Sequence, residues 1–511
     1  MRGMKRVRMR RAIVIAAACV VLGPAPALAQ GRGGGGTWTT AGGDAQRTSS
    51  VKNDPKITPQ TVTSDFKLLW KTTLTGASKT PAALTQPVLL PNIISFKGFK
   101  ALAFVGGSDN SVYAVDYDLS RTFWSRHLEA AGAGASSSAA CPGGLTTITR
   151  ATPLSPQPGA GRGGRGGGPA GRGAPPAMPP MPGSGPGPNA VLGGVGGRGS
   201  NNNVYAITTD GKLHALNAQD GTDMVPPIAF LPANAKAVGS ILIDTVLYAA
   251  TTDSCGGVPN ALWAIELAND ANTVTSWQAH APIAGDGPAF GPDGTIYLAT
   301  GNADASSSGS GSGGSIVALD PKTLQVKSTF KPDQPSPFAS SPVVVQSGGK
   351  SFVAAGNADG RIYVLDSAGT LVTATEAVGG LKSAVNGLAT WEHDRAIWLA
   401  ASTSSAAGGS VVAYKLTDEG GKASLTRTWA SRDLAGPATP LVINSVLFAL
   451  STKSKPAVLV ALDGATGKEL WNSKGAITTP VRAVGPAGGD SQVYVVTPDG
   501  TLYAFGIPKE R

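Results

Sequence analysis

VLVALDGATGKELW, residues 458–471, reads as two short strands and the turn that joins them. Val458 to Asp463 is a short apolar run of strand length. Asp463-Gly464-Ala465-Thr466-Gly467 then supplies a side-chain acceptor and a glycine free to take positive φ, which is turn chemistry. Trp471 stands eight residues after Asp463, the offset that also separates Asp116 from Trp124. A large ring there, with a small alanine on the neighbouring strand, suits a side chain packed on the next sheet, where burying it is worth on the order of a few kcal/mol. Upstream, 439–444 and 445–451 read as first and second strands, so this repeat is a four-stranded unit.

The same strand recurs as SVYAVD from Ser111, KLHALN from Lys212, ALWAIE from Ala261, SIVALD from Ser315, RIYVLD from Arg361, SVVAYK from Ser410 and TLYAFG from Thr501. Spacings of roughly 40 to 55 residues are those of one small sheet per copy. The exception is the 101-residue gap between Ala114 and Ala215, which holds a Gly, Pro, Ala and Arg tract at 155–200. Without those 46 residues the gap is 55. The tract has no acid and almost no large apolar residue, so it reads as a disordered insertion. The last copy lacks a fourth strand, while Phe66–Leu74 (FKLLWKTTL) looks like a fourth strand with no preceding three. Pairing the two predicts an all-β fold over 66–511, an eight-bladed β-propeller closed by an N-terminal strand pairing with the last blade. Closure removes exposed sheet edges.

Residues 1–29 combine a basic head, an apolar run too short to span a bilayer and the small-residue site Ala27-Leu28-Ala29, the pattern of a cleaved secretory signal. A lipoprotein reading at Cys19 matches less well. The expected mature chain is periplasmic or secreted and not membrane-spanning, with an N-terminal extension at 30–65 before the propeller. Six of the 42 basic residues fall in that signal, which leaves 36 against 32 acids. The excess sits largely in glycine-rich tracts, so the folded body is near neutral and nucleic acid is not an expected partner.

In a propeller, the links into each first strand and those between second and third strands share one face. The long links Glu129–Leu145, Thr252–Pro259, Ala303–Gly314 and Ser402–Gly409 belong there, and elaborated loops on a rigid scaffold are where binding tends to live. Cys141 and Cys255 lie in two such links of consecutive blades. In an oxidising compartment a disulfide is the expected pairing; a redox pair or metal ligation are the competing readings, without spacing support. Polar residues at first-strand starts ring the channel mouth: Arg150, Asp286, Asn386, Thr439 and Thr478, with Asn302 nearby. An unpaired charge facing a narrow channel is costly unless a partner, water or ligand meets it, so Arg150 and Asp286 either serve a ligand or pair with each other or with solvent.

Ala461-Leu462-Asp463-Gly464-Ala465-Thr466-Gly467-Lys468-Glu469-Leu470-Trp471 resembles the A-x-D-x-x-T-G-x-x-x-W repeat of pyrroloquinoline-quinone (PQQ) type propellers. The opening Trp38-Thr39-Thr40-Ala41-Gly42-Gly43-Asp44-Ala45-Gln46-Arg47-Thr48 is similar to the N-terminal stretch often seen in that group. That family includes quinoprotein dehydrogenases, which bind PQQ and calcium at the funnel mouth, and cofactor-free propellers such as an outer-membrane assembly lipoprotein. The resemblance makes Thr300-Gly301-Asn302 the counterpart of the calcium-binding asparagine element. It finds no His-Asp-x-Trp-Asp context in Lys331–Pro342, no adjacent cysteine pair and no C-x-x-C-H haem attachment. A base beside the quinone is what abstracts the substrate proton. The leading expectation is therefore a scaffold that binds an envelope protein or a small molecule, and the alternative is a PQQ- and calcium-dependent dehydrogenase of alcohols or sugars.

Overall fold

The computed structural model describes residues 38–75, 83–95, 98–130, 140–154, 202–302, 313–378, 383–406, 408–419, 422–481 and 484–508. The expected signal at 1–29 and the tract at 155–200 lie outside them. Each repeat folds as a four-stranded antiparallel sheet, and eight such blades follow in chain order. In the seventh the strands are Leu441–Ile443, Val446–Ser451, Val458–Asp463 and Glu469–Asn472. Its turn forms as its residues dictate: Asp463 Oδ1 accepts the N–H groups of Ala465 at 3.1 Å and Thr466 at 2.9 Å, and Gly467 adopts φ of 72°.

Closure comes from Lys67–Thr73, which adds antiparallel to Thr501–Gly506 with Trp70 opposite Ala504. The eighth blade is thus built from both ends of the chain, and the fold is a closed eight-bladed β-propeller. The 155–200 tract leaves after the strand Ile148–Thr149 and returns before Asn203–Ile207, which pair directly. It departs between the first and second strands of the second blade.

The core lies between blades. Phe104, Val112 and Ala114 of the first meet Val204, Ala206 and Leu216 of the second. The joints of the seventh, eighth and first blades merge around Phe448, Tyr494, Phe505 and Tyr113. An inner strand therefore has a neighbour on both faces, which is why the recurrent strands read as continuous apolar runs instead of alternating ones.

Fourth-strand tryptophans lock these joints. Trp124, Trp429 and Trp471 sit opposite Ala114, Ala413 and Ala461. Trp124 Nε1 donates to the Ala218 carbonyl and Trp429 Nε1 to that of Gly464, each at 2.9 Å and each in the third-to-fourth turn of the next blade. A Cβ at Gly221 or Gly467 would come within 2.8 or 2.6 Å of these rings, so the turn glycine is the seat of the indole. No helix among the described residues is long and apolar enough to cross a membrane.

Candidate functional site

The links into first strands and between second and third strands form the upper face. Cys141, in the link into the second blade, and Cys255, in the second-to-third link of the third, are joined in a disulfide with Cα atoms 5.6 Å apart. Beside it a cleft lined by Thr146, Thr209, Asn234 and Lys236 has room for roughly one water molecule. The cystine staples two loops; it does not wall a ligand chamber.

The axis is occupied by the chain's own N-terminal extension. Residues 38–51 circle the channel and offer carbonyls to the unpaired inner edges of the first strands. Trp38 O accepts from Leu89 N in the first blade, Thr39 O from Arg150 N in the second, Ala45 O from Phe290 N in the fourth and Gln46 O from Val344 N in the fifth. Thr48 O takes Thr390 N in the sixth, and Ser49 O and Val51 O take Val442 N and Asn444 N in the seventh, all seven bonds lying between 2.7 and 3.0 Å. The third blade is reached through side chains: Thr40 Oγ1 donates to Ser240 O at 2.7 Å. For the eighth, Gln86 bridges, accepting Gly42 N–H at 2.9 Å and donating to Gly485 O at 2.9 Å.

Arg47 is the hub of this thread and is 1% exposed. Its Nε donates to Pro288 O at 2.8 Å, Nη2 to Gly239 O at 2.8 Å, and Nη1 to Thr40 Oγ1 at 3.0 Å and to the Ala41 carbonyl. Burial pulls its pKa down to about 10 against the attraction of Asp286 and Asp44. Asp44 accepts from the Thr48 N–H at 3.0 Å, and burial raises its carboxyl pKa although Thr48 and Arg47 oppose the shift.

Above the thread, three or four residues before the bonded amides, six blades set Gln86, Thr147, Asp286, Ser341, Asn386 and Thr439 toward the upper mouth; in the third and eighth blades, which give the thread no amide, Gly239 and Gly485 stand at the matching place, against Asp286 and Thr439. Asp286 is half-buried, and burial raises its carboxyl pKa while Arg47 pulls it partly back. Asn386 donates its amide to Ser404 Oγ. Arg150 stands one layer deeper, 5% exposed, with Nη1 on the Leu89 carbonyl at 2.7 Å, and burial lowers its pKa to about 10. Asn302 is exposed on the second-to-third link of the fourth blade, and Thr478 is exposed with its hydroxyl 3.4 Å from that of Tyr503. The structure thus brings Asp286, Asn386 and Thr439 to one rim and sets Arg150 beneath it. Sequence reasoning did not single out Arg47, Asp44 or Gln86; the glycine pair Gly42-Gly43 beside them, both at positive φ, was the available sign of a tightly wound segment.

A closed propeller with a polar axial mouth defines the class. A family model for outer membrane protein assembly factor BamB matches residues 407–508. Similar solved structures include the quinohemoprotein alcohol dehydrogenase from Comamonas testosteroni, with a TM-score of 0.55 at 15% identity over 93% of this chain and 81% of that one. A europium-containing methanol dehydrogenase gives 0.61 at 14% identity over 92% and 98%, and Saccharomyces cerevisiae Sqt1 gives 0.52 at 12% over 87% and 100%. No curated protein sequence matches significantly. The family likeness thus rests on residues 407–508, and the structural likeness shows the fold, a closed β-propeller.

The described residues do not assemble a PQQ and calcium centre. Calcium takes about six to eight oxygens, carboxylates among them. Among the described residues no three acids, histidines or cysteines gather as a metal site, and Asn302 is exposed at the end of the described part of its link. A quinone carrying carboxylates also needs cations at the mouth. Arg47 instead lies buried with its described bonds on three carbonyls and a hydroxyl, and buried Arg150 donates to the Leu89 carbonyl of the neighbouring blade.

Proposed function

We propose that this protein is a periplasmic or secreted binding scaffold that receives a small molecule or an envelope protein at its upper axial mouth. The observation that carries the reading is the floor: the thread 38–51 bonds to the first strands, so the mouth opens onto the protein's own main chain. A polar cup on a rigid ring suits recognition, and its rim is lined by half-buried Gln86, Asp286, Ser341, Asn386 and Thr439. The competing reading, a PQQ-dependent dehydrogenase, is favoured by the shared fold alone, and fold does not carry chemistry.

Incubating the purified protein with PQQ and calcium, then following reduction of an artificial electron acceptor across alcohols and sugars, separates the two. The expected outcome is no dye reduction and no retained cofactor; a tight stoichiometric complex overturns the scaffold. Photo-crosslinkers placed at Asn302 on the upper face and at Asp394 on the lower are expected to trap an envelope partner from the upper position only.

A further inference from the structure

Asp286 is the only charged residue among the eight positions above the thread, and the described residues give its carboxylate neither a hydrogen bond nor an ion pair. The nearest cation, Arg47, acts on it from beyond ion-pair range, since its N–H groups are held by Pro288 O, Gly239 O, Ala41 O and Thr40 Oγ1. Asp44 acts on the same guanidinium, so this cation is shared between two carboxylates.

The space around Asp286 is shaped by glycine. A Cβ at Gly239 would lie 2.0 Å from Asp286 O, one at Gly285 2.1 Å from Ser341 N, and one at Gly287 3.1 Å from Gly239 Cα. Three blades therefore meet here main chain to main chain, and side chains are excluded at those positions. Asp286 stands half-buried in this backbone collar, with neutral Ser341 of the fifth blade beside it. One carboxylate with neutral oxygens nearby is too poor a set for a divalent metal, which calls for several anionic or carbonyl ligands. It matches three N–H donors carrying a single positive charge.

We propose that the upper mouth binds a primary ammonium group, with Asp286 as its counter-ion and hydrogen-bond acceptor. This rests on the mouth being the binding face. Charge-assisted hydrogen bonds are the strong ones, so the group recognised is the ammonium head and not the tail behind it.

Isothermal titration of the full chain with n-butylamine, acetyl-lysine methylamide, tetramethylammonium, calcium chloride and n-butanol tests it. The two primary amines are expected to bind, and the stronger of them tells a free small amine from a lysine side chain. Tetramethylammonium, calcium and n-butanol are expected to give no heat beyond dilution. Asp286→Asn is expected to weaken amine binding about tenfold or more, and Asp286→Glu to keep most of it. Equal binding of n-butylamine and n-butanol by the unaltered protein, stronger binding of calcium, or unchanged affinity in Asp286→Asn overturns the proposal; the first two hold even if the variant does not fold. Silent titrations beside a crosslinked envelope partner remove the ammonium assignment and leave the scaffold. Retained PQQ removes the scaffold whatever the amines do.

Discussion

Arg47 is the residue on which the axis depends. Its charge is stabilised by carbonyl dipoles from two blades and by two acids at longer range, an arrangement that only a planar, multidentate cation satisfies. Arg47→Ala is expected to cost at least about 3 kcal/mol, and Arg47→Lys to recover only part of it, as read by chemical denaturation. Asp286 makes the opposite contribution. Its folded pKa is raised above 3.8, so the native state holds a proton that the unfolded chain has already released within that window. Stability from this group is gained as pH falls through the raised value toward 3.8 and lost as pH rises. Asp286→Asn should therefore melt higher than the parent protein at neutral pH, with the difference shrinking toward pH 4. These roles were hidden in the sequence for a physical reason. The partners of Arg47 are main-chain carbonyls 192 and 241 residues away, and a carbonyl leaves no mark on residue identity.

At the scale of the element, the strand, turn and tryptophan of each repeat were legible because their forces are local or periodic. Asp463 bonds within three residues, and Trp471 pairs across to Ala461 in a register set by the turn between them. What the repeat did not disclose is that the turn glycine serves the preceding blade. Gly221 carries φ of 75° and touches Trp124, so Gly221→Ala is expected to destabilise by about 1–3 kcal/mol through both strain and collision. Trp429, 9% exposed, should cost about 3–5 kcal/mol as Trp429→Ala. A differential scanning trace checks both, and a smaller loss from the glycine change than from the tryptophan change is the expected order.

For the whole molecule, the closing strand was readable as a fourth strand without its three companions, whereas the position of the extension before it was not. The sequence expectation sets Arg150 among the mouth residues, with the channel open to water or a ligand. The thread fills it and puts Arg150 one layer down. Two further outcomes belong to this scale. Reducing the Cys141–Cys255 bond, which closes a separation of 114 residues, should lower stability by roughly 2–4 kcal/mol and leave the ring closed, as judged by unchanged elution volume. Removing everything before Phe66 should do worse. The first strands would lose their axial partners, and hydrogen exchange at Leu89, Val344 and Val442 should rise sharply against little change at Leu462.

The thread also imposes an order of events. A polypeptide emerges N-terminus first, so residues 38–51 leave the ribosome before any strand that will hold them, and their last partners in the seventh blade appear some four hundred residues of elongation later, at the usual several residues per second. Throughout that time the future axle has no wheel. It is a span of bare main chain with a tryptophan near its start, and a holding chaperone or a protease would meet it there long before the finished protein hides it.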